Sequence, residues 1–196
     1  FQGDQDAAVG VLDQISGDSL KEYDLAWYYL LLGLVDKRSG NEEGDSLLNR
    51  ARLFAVSPEQ SSQMDLIIYR TLLLDAGELN EEELEALKVE TETQIANGGR
   101  AGYQFAKQYA IALYMSDRFT EAIQTITDTL PLINEADYDL RDELLLLIGI
   151  ISGYDSTIGS EAFRTLLSLG VVTDLRLRAL GELVSAASTA NDIDSF

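Results

Sequence analysis

Residues 103–130 read YQFAKQYAIALYMSDRFTEAIQTITDTL, and their spacing decides the fold. Tyr103, Ala106, Tyr109, Ala110, Leu113 and Tyr114 recur at steps of three and four, the rhythm of one apolar face on an α-helix. Beyond Asp117 the rhythm restarts in Phe119, Ala122, Ile123, Ile126 and Leu130. Two helices joined by so short a connection lie antiparallel, side by side. Neither buries its stripe alone, and stacking neighbouring pairs supplies the missing surface, which is the physics of a helical solenoid.

Working outward, similar starts recur along the chain. Asn41-Glu42 precedes Leu47-Leu48, and Asn80-Glu81 precedes Leu84 and Leu87. Thr120-Glu121 precedes Ala122-Ile123, and Ser160-Glu161 precedes Ala162-Phe163. The starts are about 38 to 40 residues apart, within the range of helical repeats. The side-chain oxygens of Asn41, Asn80, Thr120 and Ser160 are expected to cap these helices, each followed by an acid that complements the positive helix end. The chain is expected to open with the second helix of a pair, from Asp6 to Ile15, and the partner helices are expected over 19–38, 62–76, 100–116, 138–152 and 174–189. Only two prolines, Pro58 and Pro131, interrupt the chain. The longest apolar run, Leu25 to Val35, is shorter than the about 20 residues that cross a bilayer and reads as a buried helix. Gly149 and Gly181 each cost a helix about 1 kcal/mol against alanine. Close approach of a neighbouring helix is the expected compensation, with Ala110 in the matching slot.

Tyr109-Ala110, Leu113, Asp117, Phe119, Ala122, Ile126 and Thr129 follow the packing positions of the tetratricopeptide repeat (TPR) family, which the chain resembles. Leu177, Leu180-Gly181, Val184 and Ser188 resemble the first helix of another repeat, and Leu145, Ile148-Gly149 and Ala162 match more loosely. Trp27 through Pro58 looks like a diverged repeat. The period is longer than the family's, which keeps HEAT-like and Sel1-like arrangements open. The resemblance implies an all-α fold, a right-handed superhelical array of antiparallel helix pairs forming one domain over 4–196, of about five pairs and cut from a longer array. In that family the concave groove is lined by first-helix side chains. Carried onto this chain, the groove candidates are Gln104, Lys107, Ile111 and Tyr114, then Arg178 and Glu182, with Arg70 and Thr71 in a poorer register. Trp27 joins them because Tyr23, Trp27, Tyr28 and Tyr29 crowd one helix, and tryptophan is enriched at binding hot spots. The family's carboxylate clamp is not matched, since Ile111 stands in place of its asparagine and Glu143 where a lysine belongs.

Charge and composition bound the function. Asp and Glu number 34 against 14 Lys and Arg, a formal charge of −20. Such a field repels phosphate backbones and anionic membranes, so neither nucleic-acid binding nor membrane insertion of this segment is expected. A protein or peptide partner of basic or neutral character fits it better. Cysteine and histidine are absent, which removes thiolate and imidazole metal sites and every Cys–His or Ser–His–Asp nucleophile. No phosphate loop or EF-hand is present, and neither metal nor cofactor is expected. The carboxylate groups Asp137/Asp139/Asp142/Glu143, Glu81 to Glu83 with Glu85, and Asp192/Asp194 sit where helices start, where acids are ordinary. The leading expectation is a non-enzymatic interaction scaffold binding a peptide or partner domain in its groove. A self-assembling structural spacer is the alternative, and an α-helical hydrolase using paired acids ranks below both. The acidic, lysine-poor, cysteine-free composition leans towards a bacterial periplasmic setting, a salt-adapted cytoplasm being the alternative. Phe1-Gln2-Gly3 resembles a tag remnant.

Overall fold

In a computed structural model, which describes residues 5–12, 14–76, 79–153 and 156–190, the chain is all-helical. Ten α-helices are present among the described residues: α1 (Gln5–Leu12), α2 (Glu22–Arg38), α3 (Glu43–Phe54), α4 (Pro58–Ala76), α5 (Glu81–Asn97), α6 (Arg100–Met115), α7 (Phe119–Thr129), α8 (Tyr138–Ser152), α9 (Thr157–Leu169) and α10 (Thr173–Ala190). Short 3-10 turns lie at Gly17–Ser19, Leu130–Leu132 and Glu135–Asp137. The starts of α3, α5, α7 and α9, at Glu43, Glu81, Phe119 and Thr157, are evenly spaced at 38 residues. The expected tag remnant and the acids Asp192 and Asp194 lie outside the described residues. Two compact units divide the chain, one over residues 1–77 and one over residues 78–196.

In the first unit, α2 and α3 form the tightest hairpin. A Cβ on Gly44 would stand 2.8 Å from the Lys37 backbone nitrogen, and one on Gly33 would stand 3.0 Å from the Gly44 carbonyl oxygen. The two backbones therefore touch where neither carries a side chain. Ala26, Leu30, Leu48 and Ala51 fill the rest of that contact, and Met64 and Ile68 of α4 close it. Four residues earlier than its periodicity indicates, α4 begins at Pro58, whose missing N–H and fixed φ suit a first helical position. Gln60 secures this start: its side-chain oxygen accepts from Val56 N (2.9 Å) and its Nε2 donates to the Tyr23 carbonyl (3.0 Å). Arg38 reaches Asp75 of α4 through two bonds of 2.7 and 2.6 Å, and Arg52 reaches Asp65 at 2.7 Å.

The second unit is built around α6, which buries Tyr103, Phe105, Ala106, Tyr109, Ala110, Ala112 and Leu113 on more than one face. It packs on α5 and α7 and also meets α8, which in turn meets α7, α9 and α10. Ala110, Ile126, Leu144, Ile148 and Ala162 form one core cluster; Leu145, Leu146, Phe163, Leu166 and Ala179 form the next. Each fully buried leucine or phenylalanine here contributes roughly 1.5–3 kcal/mol. Gly149 behaves as its sequence position suggests: a Cβ there would stand 2.4 Å from the Phe163 ring. Gly181 does not, because nothing lies within 4 Å of a Cβ built on it, and it faces open space on α10.

The caps also differ from expectation. Asn80 alone of the four forms one, a capping box in which Asn80 Oδ1 accepts from Glu83 N (2.9 Å) and Glu83 accepts from Asn80 N (3.1 Å). Asn41 instead donates its amide to Asp36 at 3.1 Å, and α3 has no side-chain cap. Thr120 lies inside the first turn of α7, because the turn after α6 ends at Arg118 and leaves no room for a longer approach. Ser160 likewise lies inside α9, which Ser156 caps by accepting from Gly159 N at 2.9 Å.

Candidate functional site

Gln104, Lys107, Ile111 and Tyr114 share one stripe of α6, and that stripe runs beside α8. Two ion pairs define the contact. Arg100 at the start of the stripe bonds Asp139 at 2.5 and 2.9 Å and Asp137 at 3.0 Å. About two turns further on, Lys107 Nζ bonds Glu143 at 2.6 Å. The two pairs follow in the same order along both helices, so α6 and α8 are parallel. The partners are separated by 36 to 39 residues, one repeat period. The guanidinium of Arg100 holds the Asp139 carboxyl down to about 2, and the Asp139 and Asp137 bonds raise Arg100 above its ordinary value.

The stripe ends in an exposed aromatic pair. Tyr114 is exposed and tilts against Phe119, also exposed, with ring centroids 5.7 Å apart. Ile111 and Gln104 are half-buried. On α10, Arg178 is exposed and Glu182 half-buried, with no hydrogen bond or ion pair for either among the described residues. Trp27 and Arg70 belong to the first unit. Trp27 lies half-buried against the α2–α3–α4 core and edge-on to Tyr23, while Arg70 and its neighbour Thr71 lie on α4, Arg70 exposed.

Of the described acids that looked like possible catalytic pairs, all but Glu82 have partners of their own. Asp142 is fully buried and accepts from Val171 N (2.6 Å) and Val172 N (2.8 Å), fastening the α9–α10 connection to α8. Glu83 closes the cap of α5, Glu81 stands 3.8 Å from Arg118, and Glu85 stands 3.7 Å from Lys88. No three acids converge to hold a metal ion among the described residues. No described helix is long and apolar enough to cross a membrane.

Sequence reasoning missed a cleft on the other side of α6. It has a volume of about 360 Å³ and lies between α5 and α7, with Tyr109 of α6 at its base. Tyr109 reads as a packing residue from spacing alone, and its ring is packed, at 8% exposure. Its hydroxyl, however, makes no hydrogen bond among the described residues, and burial pushes the phenol's pKa up. A tyrosine where the apolar rhythm asks only for bulk was the available signal. Comparison with protein-family models, with curated proteins and with solved structures gave no match.

Proposed function

We propose that the second unit is a TPR-like interaction module in which α6, α8 and α10 act as first helices and present a peptide- or domain-binding face. The observation that carries this reading is the side-by-side contact of alternate helices, α6 with α8, joined by ion pairs one period apart, and α8 with α10. A right-handed array of helix pairs is the simplest arrangement that makes such contacts between elements two apart in the chain. On that face Ile111 and Tyr114 offer apolar anchors, Gln104 hydrogen bonds, and Arg178 and Glu182 charges that the fold leaves unused. The charge of −20 favours a basic or neutral partner. Lys107 orients α8 through Glu143 rather than waiting for a ligand.

The test is selection from a displayed peptide library against the wild-type chain, followed by measurement on Ile111→Ser/Tyr114→Ala. The double variant is expected to bind selected peptides at least tenfold more weakly while keeping its helicity. Selected peptides that bind both proteins equally would remove the face from the binding account. One observation favours a second reading, self-assembly: Leu177, Leu180 and Val184 form an exposed apolar stripe along α10. Sedimentation equilibrium decides it, since Leu180→Glu abolishes any concentration-dependent mass if that stripe joins copies.

A further inference from the structure

We propose that Asn97 is a modification site, one that deamidates spontaneously through a cyclic imide closed on the backbone nitrogen of Gly98. The chain leaves α5 as Ala96-Asn97-Gly98-Gly99-Arg100, and Asn97 is the asparagine that a glycine follows. The other described asparagines are followed by Glu42, Arg50, Glu81 and Glu135, whose side chains crowd the nitrogen that would attack. Those four amides are also held. Asn41 donates to Asp36 (3.1 Å), Asn49 accepts from Arg52 (3.4 Å), Asn80 accepts from Glu83 N (2.9 Å) and Asn134 donates to the Tyr103 hydroxyl (3.5 Å). Asn97 is exposed, and its side chain makes no hydrogen bond among the described residues. Gly98 and Gly99 stand at φ 75° and 86° with nothing within 4 Å of a Cβ built on either, so the ring has room to close. The restraint on closure is the bond from Gly98 N to Ile95 O (3.0 Å), at the last residue of a helix, where fraying costs least.

The step needs water and neither oxidant nor cofactor. The Gly98 nitrogen bonds to Asn97 Cγ, the bond from Cγ to the side-chain nitrogen breaks, and ammonia leaves with the amide proton. Water then opens the ring at either carbonyl. Opening at Cγ gives aspartate, and opening at the main-chain carbonyl gives isoaspartate, in which the chain runs through Cγ and is lengthened by that carbon. Both products place a carboxylate at the negative end of α5, where the helix dipole opposes it. The lengthened chain falls beside a close approach of α5 to α6: a Cβ on Gly102 would stand 2.7 Å from Gln94 O and 2.9 Å from Ile95 Cα. Deamidation therefore loosens α5 on α6 as the protein ages. The site does not depend on what the α6–α8 stripe binds.

The experiment is timed incubation of the folded full chain in mildly alkaline buffer, where the attacking amide loses its proton more readily, then tryptic digestion and mass spectrometry. Trypsin cuts after Lys88 and Arg100, so residues 89–100 leave as one peptide with Asn97 its single asparagine. That peptide is expected to gain about 1 Da as ammonia is exchanged for water, and to split into aspartyl and isoaspartyl forms. The gain should outpace that at Asn41, Asn49, Asn80 and Asn134 by about tenfold or more. Gly98→Ala is expected to slow it about tenfold, and Asn97→Gln, which leaves both glycines in place, to abolish it. The modified chain, separated by its extra charge, should melt below the fresh one. A gain no faster than at the other asparagines, a gain that persists in Asn97→Gln, or an aspartyl product without isoaspartate would overturn the proposal. Equal melting of the two forms would overturn the loosening of α5 on α6.

Discussion

The α2–α3 and α6–α7 hairpins turn in the same way and pack differently. After α2, Gly40 N donates to Lys37 O (3.1 Å) and Asn41 N to Asp36 O (2.9 Å); after α6, Asp117 N donates to Tyr114 O (3.2 Å) and Arg118 N to Leu113 O (2.8 Å). Both are Schellman closures with the residue after the cap in the left-handed region, Gly40 at φ 74° and Asp117 at φ 58°. Setting Gly40 on Asp117 pairs Ser39 with Ser116, Trp27 with Gln104, Leu30 with Lys107, Gly33 with Ala110 and Leu34 with Ile111. The turn is thus dictated locally, by backbone hydrogen bonds, while the contact behind it is free to vary. The first hairpin closes glycine on backbone. The second keeps alanines and uses the position matching the buried Leu30 for Lys107, which reaches α8.

The sharpest way to break this contrast is Gly44→Ala. The new methyl would meet the Lys37 backbone, which cannot swing aside, so a loss of about 3 kcal/mol is expected from denaturant melts. Gly33→Ala should cost less, because its nearest atoms at 2.8–2.9 Å belong to the Leu48 side chain. Equal and small losses would mean that the first hairpin is no tighter than the second.

Next in size are two changes of opposite sign at the shared turn. Gly40→Ala forces a Cβ into the left-handed region and should cost about 1 kcal/mol, whereas Asp117→Gly removes that strain and should stabilise by a few tenths to about 1 kcal/mol. Thermal melts of the two variants check both signs. If Asp117→Gly destabilises, its side chain rather than its backbone is what the turn needs.

These turns and the helices between them were legible in the sequence. The 138–152 helix is found as the periodicity sets it, and the 100–116 helix ends one residue early. The caps at Asn41, Thr120 and Ser160 were not legible, because a polar residue one to four positions off still looks like a cap until the helix start is fixed. Gly149 and Gly181 illustrate the same limit. Both interrupt a helix at equal local cost, but only the first meets a ring, and that depends on where Phe163 comes from. The α6 stripe was readable as one face from its spacing. That Lys107 is bound to Glu143 was not, although both partners were visible one period apart. The Tyr109 cleft needed α5 and α7 in place before its hydroxyl could be seen to lack a partner.

The contrast between Leu30 and Lys107 is tested by a double-mutant cycle on Lys107→Met and Glu143→Gln. With side chains 29% and 38% exposed, the pair should show a coupling of about 0.5–1 kcal/mol, reduced by added salt. A coupling of zero would reduce Lys107 to a solvated stem, and Arg100 would then carry the polar part of the α6–α8 contact beside the apolar packing of Ala110 on Leu144 and Ile148.

The smallest effect concerns that remaining contact and has a definite pH signature. Asp139 is held at about 2 by Arg100, below the 3.8 of a free aspartate, so the folded state binds a proton there less readily than the unfolded chain. Its contribution is therefore fully present above about pH 4 and fades as pH falls through about 2, below which both states are protonated. The side chain is 40% exposed, and screening by solvent keeps the contribution below about 1 kcal/mol. Asp139→Asn should accordingly lower stability by that amount near neutral pH and by progressively less as pH falls towards 2 and below, with Arg100 charged throughout. The Arg38–Asp75 pair of the first unit makes the same two-bond contact and serves as the internal reference. Denaturant melts of both proteins over this range read the gap directly. A gap that stays open at low pH would show that Asp139 holds α8 by shape and hydrogen bonding, and that the charge on α6 merely accompanies it.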